Sequence, residues 1–343
     1  MKSPNVLVRG FSGTILVLLA LIALFLLFLW FWPLGLDNLA APPDVPRTYA
    51  DAVAAVTTAA QDEGDAVHSL CHTRVVTSGA KTNNVAVIFH GLGTCPQQFA
   101  EVADALHADG WNVLLVRLPY HGMADRLSEA PAAMQADEVL REAGRWIDVA
   151  QGLGDHVTVV GFSGGGAVAA YLANVRSDID RVVLVAPMLG VQAFPVDLTR
   201  PISTLAHFVP NWWGWFNPEL KENVEGPDYT YPRYSSRMLA EFLRIGLQST
   251  AYAQAAAPAV SDIRLLLNAN DESVRNEVTK AVAAAWAQHG AEVKLHEFLT
   301  SAGLKHDMID LGQPYQNVDL VYPVLLDAIT EDAFTPAAAP GTQ

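Results

Sequence analysis

The chain is short of positive charge. Its 343 residues carry 21 lysines and arginines against 36 aspartates and glutamates, a formal net charge of −15. A phosphate backbone is held by a basic surface, so this balance argues against nucleic acid as a partner. Cysteine is scarce, with only Cys71 and Cys95 present. The run "HSLCH" from His68 to His72 has a metal-site look, but no second cluster completes a tetrahedral set, which argues against zinc. Charge is missing altogether from "ILVLLALIALFLLFLWFW", Ile15 to Trp32.

That uncharged run has about the length of a membrane-spanning helix. Lys2 and Arg9 precede it, and Asp37 and Asp44 follow it with Arg47 as the nearby cation. The positive-inside rule then puts the N-terminus in the cytoplasm and the rest of the chain in the periplasm or outside the cell. A cleaved signal peptide is the rival reading, with Leu39-Ala40-Ala41 as a weak small-residue site. The length of the run favours an uncleaved anchor over residues 1–32. Pro-rich residues 33–47 read as a linker. Residues 331–343, low in complexity, read as a disordered tail.

Half of the chain is hydrophobic, enough for a sizeable core. An Ala-rich segment from Thr48 to Asp65 reads as a helix with Thr48 as its cap. Short apolar runs then alternate with helix-like segments. The strand-like runs are 85–89, 112–118, 156–161, 181–186, 263–269 and 293–298. The helix-like ones are 97–109, 136–151, 165–174 and 274–289. This order implies a mostly parallel sheet flanked by helices within residues 48–330. "LCHTRVVT" could add an antiparallel edge. Residues 188–254 are too long for a simple crossover and hold Trp212, Trp213, Trp215, Phe216, Tyr229, Tyr231 and Tyr234. They read as a cap inserted over the C-terminal edge of the sheet. Its aromatics would form cap core, an acyl tunnel or a membrane-resting face.

In "HVTVVGFSGGGAVAAYLA", Ser163 sits between a strand and a helix, with Gly161 two residues before it and Gly165 two after. In this elbow pattern the serine takes strained backbone angles that lift its hydroxyl above the sheet. Neighbours two positions away must then be small. Such a serine needs a base, an acid to orient the base, and an oxyanion site. The elbow architecture predicts the chain order Ser, acid, His, with the acid after a late strand and His after the last. Asp271 in "IRLLLNANDESV" and His306 in "VKLHEFLTSAGLKHDMID" occupy those places. Glu272 and Asp262 are rival acids, although Asp262 precedes its strand and so lies at the wrong end. His296 lies within a strand, where a structural role fits better. Asp307 reads as a helix N-terminal charge. His90 and His121, each before a glycine, read as structural, with His121 the better candidate to line the site. The N–H groups of Leu92, in "VAVIFHGLG", and of Gly164 could converge on one oxygen.

"VIFHGLGTCPQQF", "LLVRLPYHG", "GFSGGG", "NANDESV" and "LKHDMID" together resemble the α/β-hydrolases, in particular bacterial carboxylesterases and monoacylglycerol-lipase-like members. The resemblance covers roughly Leu70 to Ala328. It implies Ser163 as nucleophile, His306 as base, Asp271 as acid, and Leu92 and Gly164 as oxyanion donors. It also implies acyl transfer through an acyl-enzyme on an ester or lipid substrate, without metal or organic cofactor. Most members carry a bulkier residue than Gly164 after the nucleophile, so this chain is expected to leave space there.

The two cysteines are expected to pair. If "LCHTRVVT" runs antiparallel to "VAVIFHG", Cys71 comes close to the end of that second strand, and Cys95 lies a few residues beyond it. An exported domain meets an oxidising compartment. Thioesterase, lysophospholipase and non-catalytic lipid- or partner-binding readings stay open on the sequence, and oligomeric state is not legible in it.

Overall fold

The computed structural model describes residues 4–39, 47–331 and 334, with side chains from residue 16 onward. Helix α1 (Pro4–Phe31) is followed by α2 (Tyr49–Glu63). A capping box starts α2: the Thr48 hydroxyl accepts from the Asp51 N–H, and the Asp51 carboxylate accepts from the Thr48 N–H. Strands and helices then alternate as β1 (Arg74–Val76), β2 (Thr82–Phe89), α3 (Ala100–Ala108), β3 (Asn112–Val116), α4 (Ala136–Ala150), β4 (Gly154–Phe162), α5 (Gly164–Val175) and β5 (Arg181–Val185). An excursion carries α6 (Thr199–Leu205), the short strands β6 (Trp213–Trp215) and β7 (Arg233–Ser235), and α7 (Ser236–Ala255). The remaining elements are β8 (Asp262–Asn268), α8 (Asn276–Gln288), β9 (Glu292–Phe298) and α9 (Val318–Thr330).

Seven strands form one sheet in the order β1-β3-β2-β4-β5-β8-β9, antiparallel only between β1 and β3. Helices cover both faces, so every residue of β3 and the apolar ends of β2 and β4 are buried. β1 is the antiparallel edge expected of "LCHTRVVT", but its partner is β3 and not the strand at 85–89. Both flanks of β2 are already taken, by β3 and β4, and β3 offers the free edge. Parallel order brings the C-terminal ends of β2, β4, β8 and β9 to one edge, where loops build a site.

The excursion is a cap only up to β7. α7 packs along α5, and its Gly246 lies so close to Met188 that an added Cβ would be 2.8 Å from the Met188 carbonyl oxygen. The helix therefore belongs to the layer that covers the sheet. β6 and β7 pair with each other, and the Arg233 guanidinium stacks on Trp213 at 4.1 Å.

Residues 33–39 are not a free spacer. Leu36 is fully buried, and the Tyr171 hydroxyl donates to its carbonyl at 2.5 Å while accepting from the Leu39 N–H. Arg244 on α7 donates to the Leu34 carbonyl, and Asp37 accepts from Gln248 and Tyr252. The rest of the expected linker, 40–46, lies outside the described residues, as does the expected tail apart from residues 331 and 334. Phe334 is buried against Arg264. The end of α1 packs on the cap: Phe28 and Trp32 meet Phe208 at 5.4 and 5.6 Å, and Arg200 donates to the Trp32 carbonyl. Among the described residues no helix is long and apolar enough to cross a membrane. The described side chains of α1 start at Leu16, inside the uncharged run.

Candidate active site

Ser163 stands between the last residue of β4 and the first of α5, at φ 51° and ψ −112°. A positive φ in a non-glycine residue is strained and persists only where the surroundings hold it. Here the Ser163 N–H donates to Val185 and its carbonyl accepts from Ala167 and Met188. The flanking glycines are forced by close approach. A Cβ on Gly161 would lie 2.3 Å from the Gly165 carbonyl, and one on Gly165 would lie 2.2 Å from that of Phe89.

The Ser163 hydroxyl lies 2.9 Å from His306 Nε2, and His306 Nδ1 lies 2.8 Å from Asp271 Oδ2. Asp271 is held by its other oxygen, Oδ1, which accepts from the Ser273 and Val274 N–H groups at 2.9 Å each. Burial would raise this carboxyl. The facing His306 and the hydrogen bonds outweigh burial and leave its pKa below the usual value. The three side chains thus come from three loops at the same sheet edge. Glu272 is turned out toward Lys305, and Asp262 pairs with Arg181 and Arg264 at the far end of β8. His296 stays within β9 against Phe298.

Leu92 and Gly164 are also brought together. A Cβ on Gly164 would sit 3.2 Å from the Leu92 nitrogen. The same Cβ would sit 3.1 Å from the Phe242 ring, so the space expected beside Ser163 is filled, by a side chain of α7. His90 braces this loop: its Nε2 accepts from the Leu118 N–H at 3.1 Å, which leaves Nδ1 to donate to the Gly91 carbonyl at 2.9 Å. His121 is fully buried between His90, Tyr231 and Phe242, with its ring nitrogen Nδ1 on the Pro119 carbonyl. Burial pushes the His121 pKa down to about 4, so the ring is neutral.

Four supporting residues escape a reading of the sequence. Gln98 accepts from the Gly91 N–H and donates to Asp307, the neighbour of His306, at 3.0 Å. Asn268 donates to the carbonyls of Leu304 and Lys305, tying the acid loop to the histidine loop. Phe162 packs on the His306 ring at 5.1 Å, and Phe242 closes the side of Gly164. Phe162 and Asn268 end β4 and β8, which could have drawn notice; Gln98 and Phe242 carry no such signal. Asp307 caps no helix. It is enclosed in the loop, and burial, with repulsion from Asp310, raises its pKa to about 6.

Cys71 and Cys95 are joined, Sγ to Sγ at 2.06 Å, beside the same loop. Gly122, at φ +65°, lies flat on the bridge, where an added Cβ would be 2.6 Å from that of Cys71. Tyr231 of the cap donates its N–H to the Gly93 carbonyl at 2.7 Å. Of the "HSLCH" run, His68 faces Asp228 and His72 faces Glu63.

The family model for the alpha/beta hydrolase fold matches residues 84–257, more than half of the chain. No curated protein matches it. Among solved structures, one from work on the metagenome-derived lipolytic enzymes LipS and LipT is 15% identical, with 76% of this chain and 96% of that one covered and a TM-score of 0.57. A soluble variant of the monoglyceride lipase of Saccharomyces cerevisiae, solved with a substrate analogue, is 13% identical, with coverage of 78% and 92% and a TM-score of 0.59. The monoacylglycerol lipase of Paleococcus ferrophilus is 17% identical, with coverage of 76% and 99% and a TM-score of 0.56. At such identities the likeness speaks for the fold.

Proposed function

The chain belongs to the α/β-hydrolase family, and from that premise we propose that it hydrolyses carboxylic esters with Ser163 as nucleophile, His306 as base and Asp271 as the acid that orients it. The observation that carries this is the unbroken chain of contacts, 2.9 Å from Ser163 to His306 and 2.8 Å from His306 to Asp271. His306 takes the Ser163 proton as the hydroxyl oxygen attacks the ester carbonyl. The Leu92 and Gly164 N–H groups stabilise the oxyanion, with the start of α5 adding its positive dipole end. His306 then gives the proton to the departing alcohol, and water repeats the cycle on the acyl-enzyme. Asp271 holds the Nδ1–H tautomer and stays ionised, in keeping with its lowered pKa.

The same reading makes α1 a membrane anchor, with the N-terminus cytoplasmic and the catalytic body on the periplasmic or extracellular side. Its support is the uncharged run from Ile15 to Trp32, Lys2 and Arg9 before it, and a disulfide suited to an oxidising compartment. Lipid-like esters of the kind named for the yeast and Paleococcus enzymes are the favoured substrates.

The test is hydrolysis of p-nitrophenyl esters from acetyl to palmitoyl by the full chain and by Ser163→Ala, with a fluorophosphonate label as a second readout. Turnover in the wild type, its loss in the variant and labelling at Ser163 are expected. A triad serine can be worth about a million-fold in turnover. A wild type that neither turns over nor labels would refute the proposal.

A further inference from the structure

We propose that the cap face carrying Leu198, Ile202, Phe208 and Trp212 rests in the interfacial layer of a lipid bilayer, and that the ester reaches Ser163 out of that layer. This rests on the reading of α1 as a membrane anchor.

Phe208 and Trp212 are 51% and 54% exposed, and Leu198 and Ile202, at the start of α6 and within it, are exposed too. A patch of this kind on its own does not name its occupant. Here α1 names it. The patch runs without a break into that helix through the contacts of Phe208 with Phe28 and Trp32. Every described side chain of α1, from Leu16 to Phe31, is apolar, and most are exposed. A cap face fused to the end of such a helix shares its surroundings, and aromatic rings at that level suit the boundary between headgroups and acyl chains.

The patch is also joined by ring contacts to the loop that carries Leu92. Tyr234 links Trp212, at 6.1 Å, to Phe216, at 5.3 Å. The Phe216 ring covers Gly93, one residue past Leu92. Between α6 and α7 lies a cavity of about 340 Å³ lined by Ile202, Leu205, Val209, Trp212, Leu239 and Leu243. Its size and apolar walls suit an acyl chain. Phe242, next to Leu243 on α7, is the side chain against Gly164. One helix thus stands between the lipid-facing cavity and the oxyanion loop.

The test uses the full chain in phosphatidylcholine vesicles. Flotation reports anchoring. Turnover of monooleoylglycerol carried in the vesicles is compared with turnover of soluble p-nitrophenyl butyrate, for wild type and for Leu198→Glu/Phe208→Glu. Neither residue lines the cavity or touches the triad. The double variant is expected to float, to lose at least tenfold on the vesicle ester, and to stay within twofold on the soluble one. Equal losses on both esters, or no loss on either, overturn the proposal while leaving the anchor and the hydrolase readings in place. A wild type that does not float overturns the anchor reading and this proposal with it. A readout independent of activity is quenching by brominated phosphatidylcholine. The fluorescence lost on Trp212→Phe should belong to a quenched tryptophan, and an unquenched one overturns the proposal.

Discussion

Gln98 and Asp307 are 209 positions apart in sequence and 3.0 Å apart in space. Through this contact, and the one from Gln98 to the Gly91 N–H, the loop that carries Leu92 is tied to the loop that carries His306. The two halves of the proposed chemistry, proton transfer and oxyanion stabilisation, therefore share one brace.

Gln98→Leu should cut that brace and leave the triad intact. The expected effect is a fall of about tenfold in kcat with KM little changed, since the misplaced donor acts mainly in the transition state. Steady-state kinetics on one soluble ester, with thermal melts to show that the fold persists, check this. A rise in KM at constant kcat would count against it.

Asp307 carries a pH signature of its own. Its pKa in the folded chain is raised to about 6, whereas an unfolded aspartate titrates near its ordinary value, 3.8. Above the folded value the buried charge opposes folding in full, and below the unfolded value the opposition is gone. Asp307→Asn should therefore raise Tm by a few degrees at pH 8 and leave it unchanged below pH 4. Melts at the two pH values decide, and an equal shift at both would contradict the assignment.

Gly164 is boxed in by Phe242 and the Leu92 nitrogen. Gly164→Met should push both and lower kcat/KM by about a hundredfold, the scale of losing one oxyanion donor. Adding Phe242→Ala gives the new side chain room and should recover part of the loss. A double variant no better than the single one would mean that the Phe242 ring is not the obstacle.

The disulfide closes a loop with a sequence separation of 24. Its loss in Cys71→Ser/Cys95→Ser should lower stability by about 3.5 kcal/mol, the chain-entropy value for a loop of that size. It should also loosen the turn at Gly122. Denaturant titration gives the first quantity. A thiol titration of the unreduced, denatured wild type should find no free thiol.

The sheet was legible because strands buried on both faces must be short apolar runs, and the parallel order followed from their alternation with helices. The elbow was legible because Gly161 and Gly165 leave a local trace of a backbone clash. Asp271 and His306 followed from chain order after the strands at 263–269 and 293–298. Gln98 and Asn268 left no trace, since their partners come from distant segments and an amide in a loop has no period. The neighbour of β1 left no trace in the sequence because a three-residue strand has too little pattern to choose an edge, and the choice fell to whichever strand had one free. Residues 33–47 read as a linker on their prolines, while the hold of 33–39 on α5 and α7 comes from Tyr171, Arg244, Gln248 and Tyr252, far along the chain.

The place of Phe242 bears on how this chain can be recombined. Here a graft spanning residues 188–254 would carry away the wall beside Ser163 together with the cap. A transplant that spared the surroundings of Ser163 would have to rejoin the host chain near Ser235, ahead of α7, so that the partner of Gly164 stays with its native scaffold.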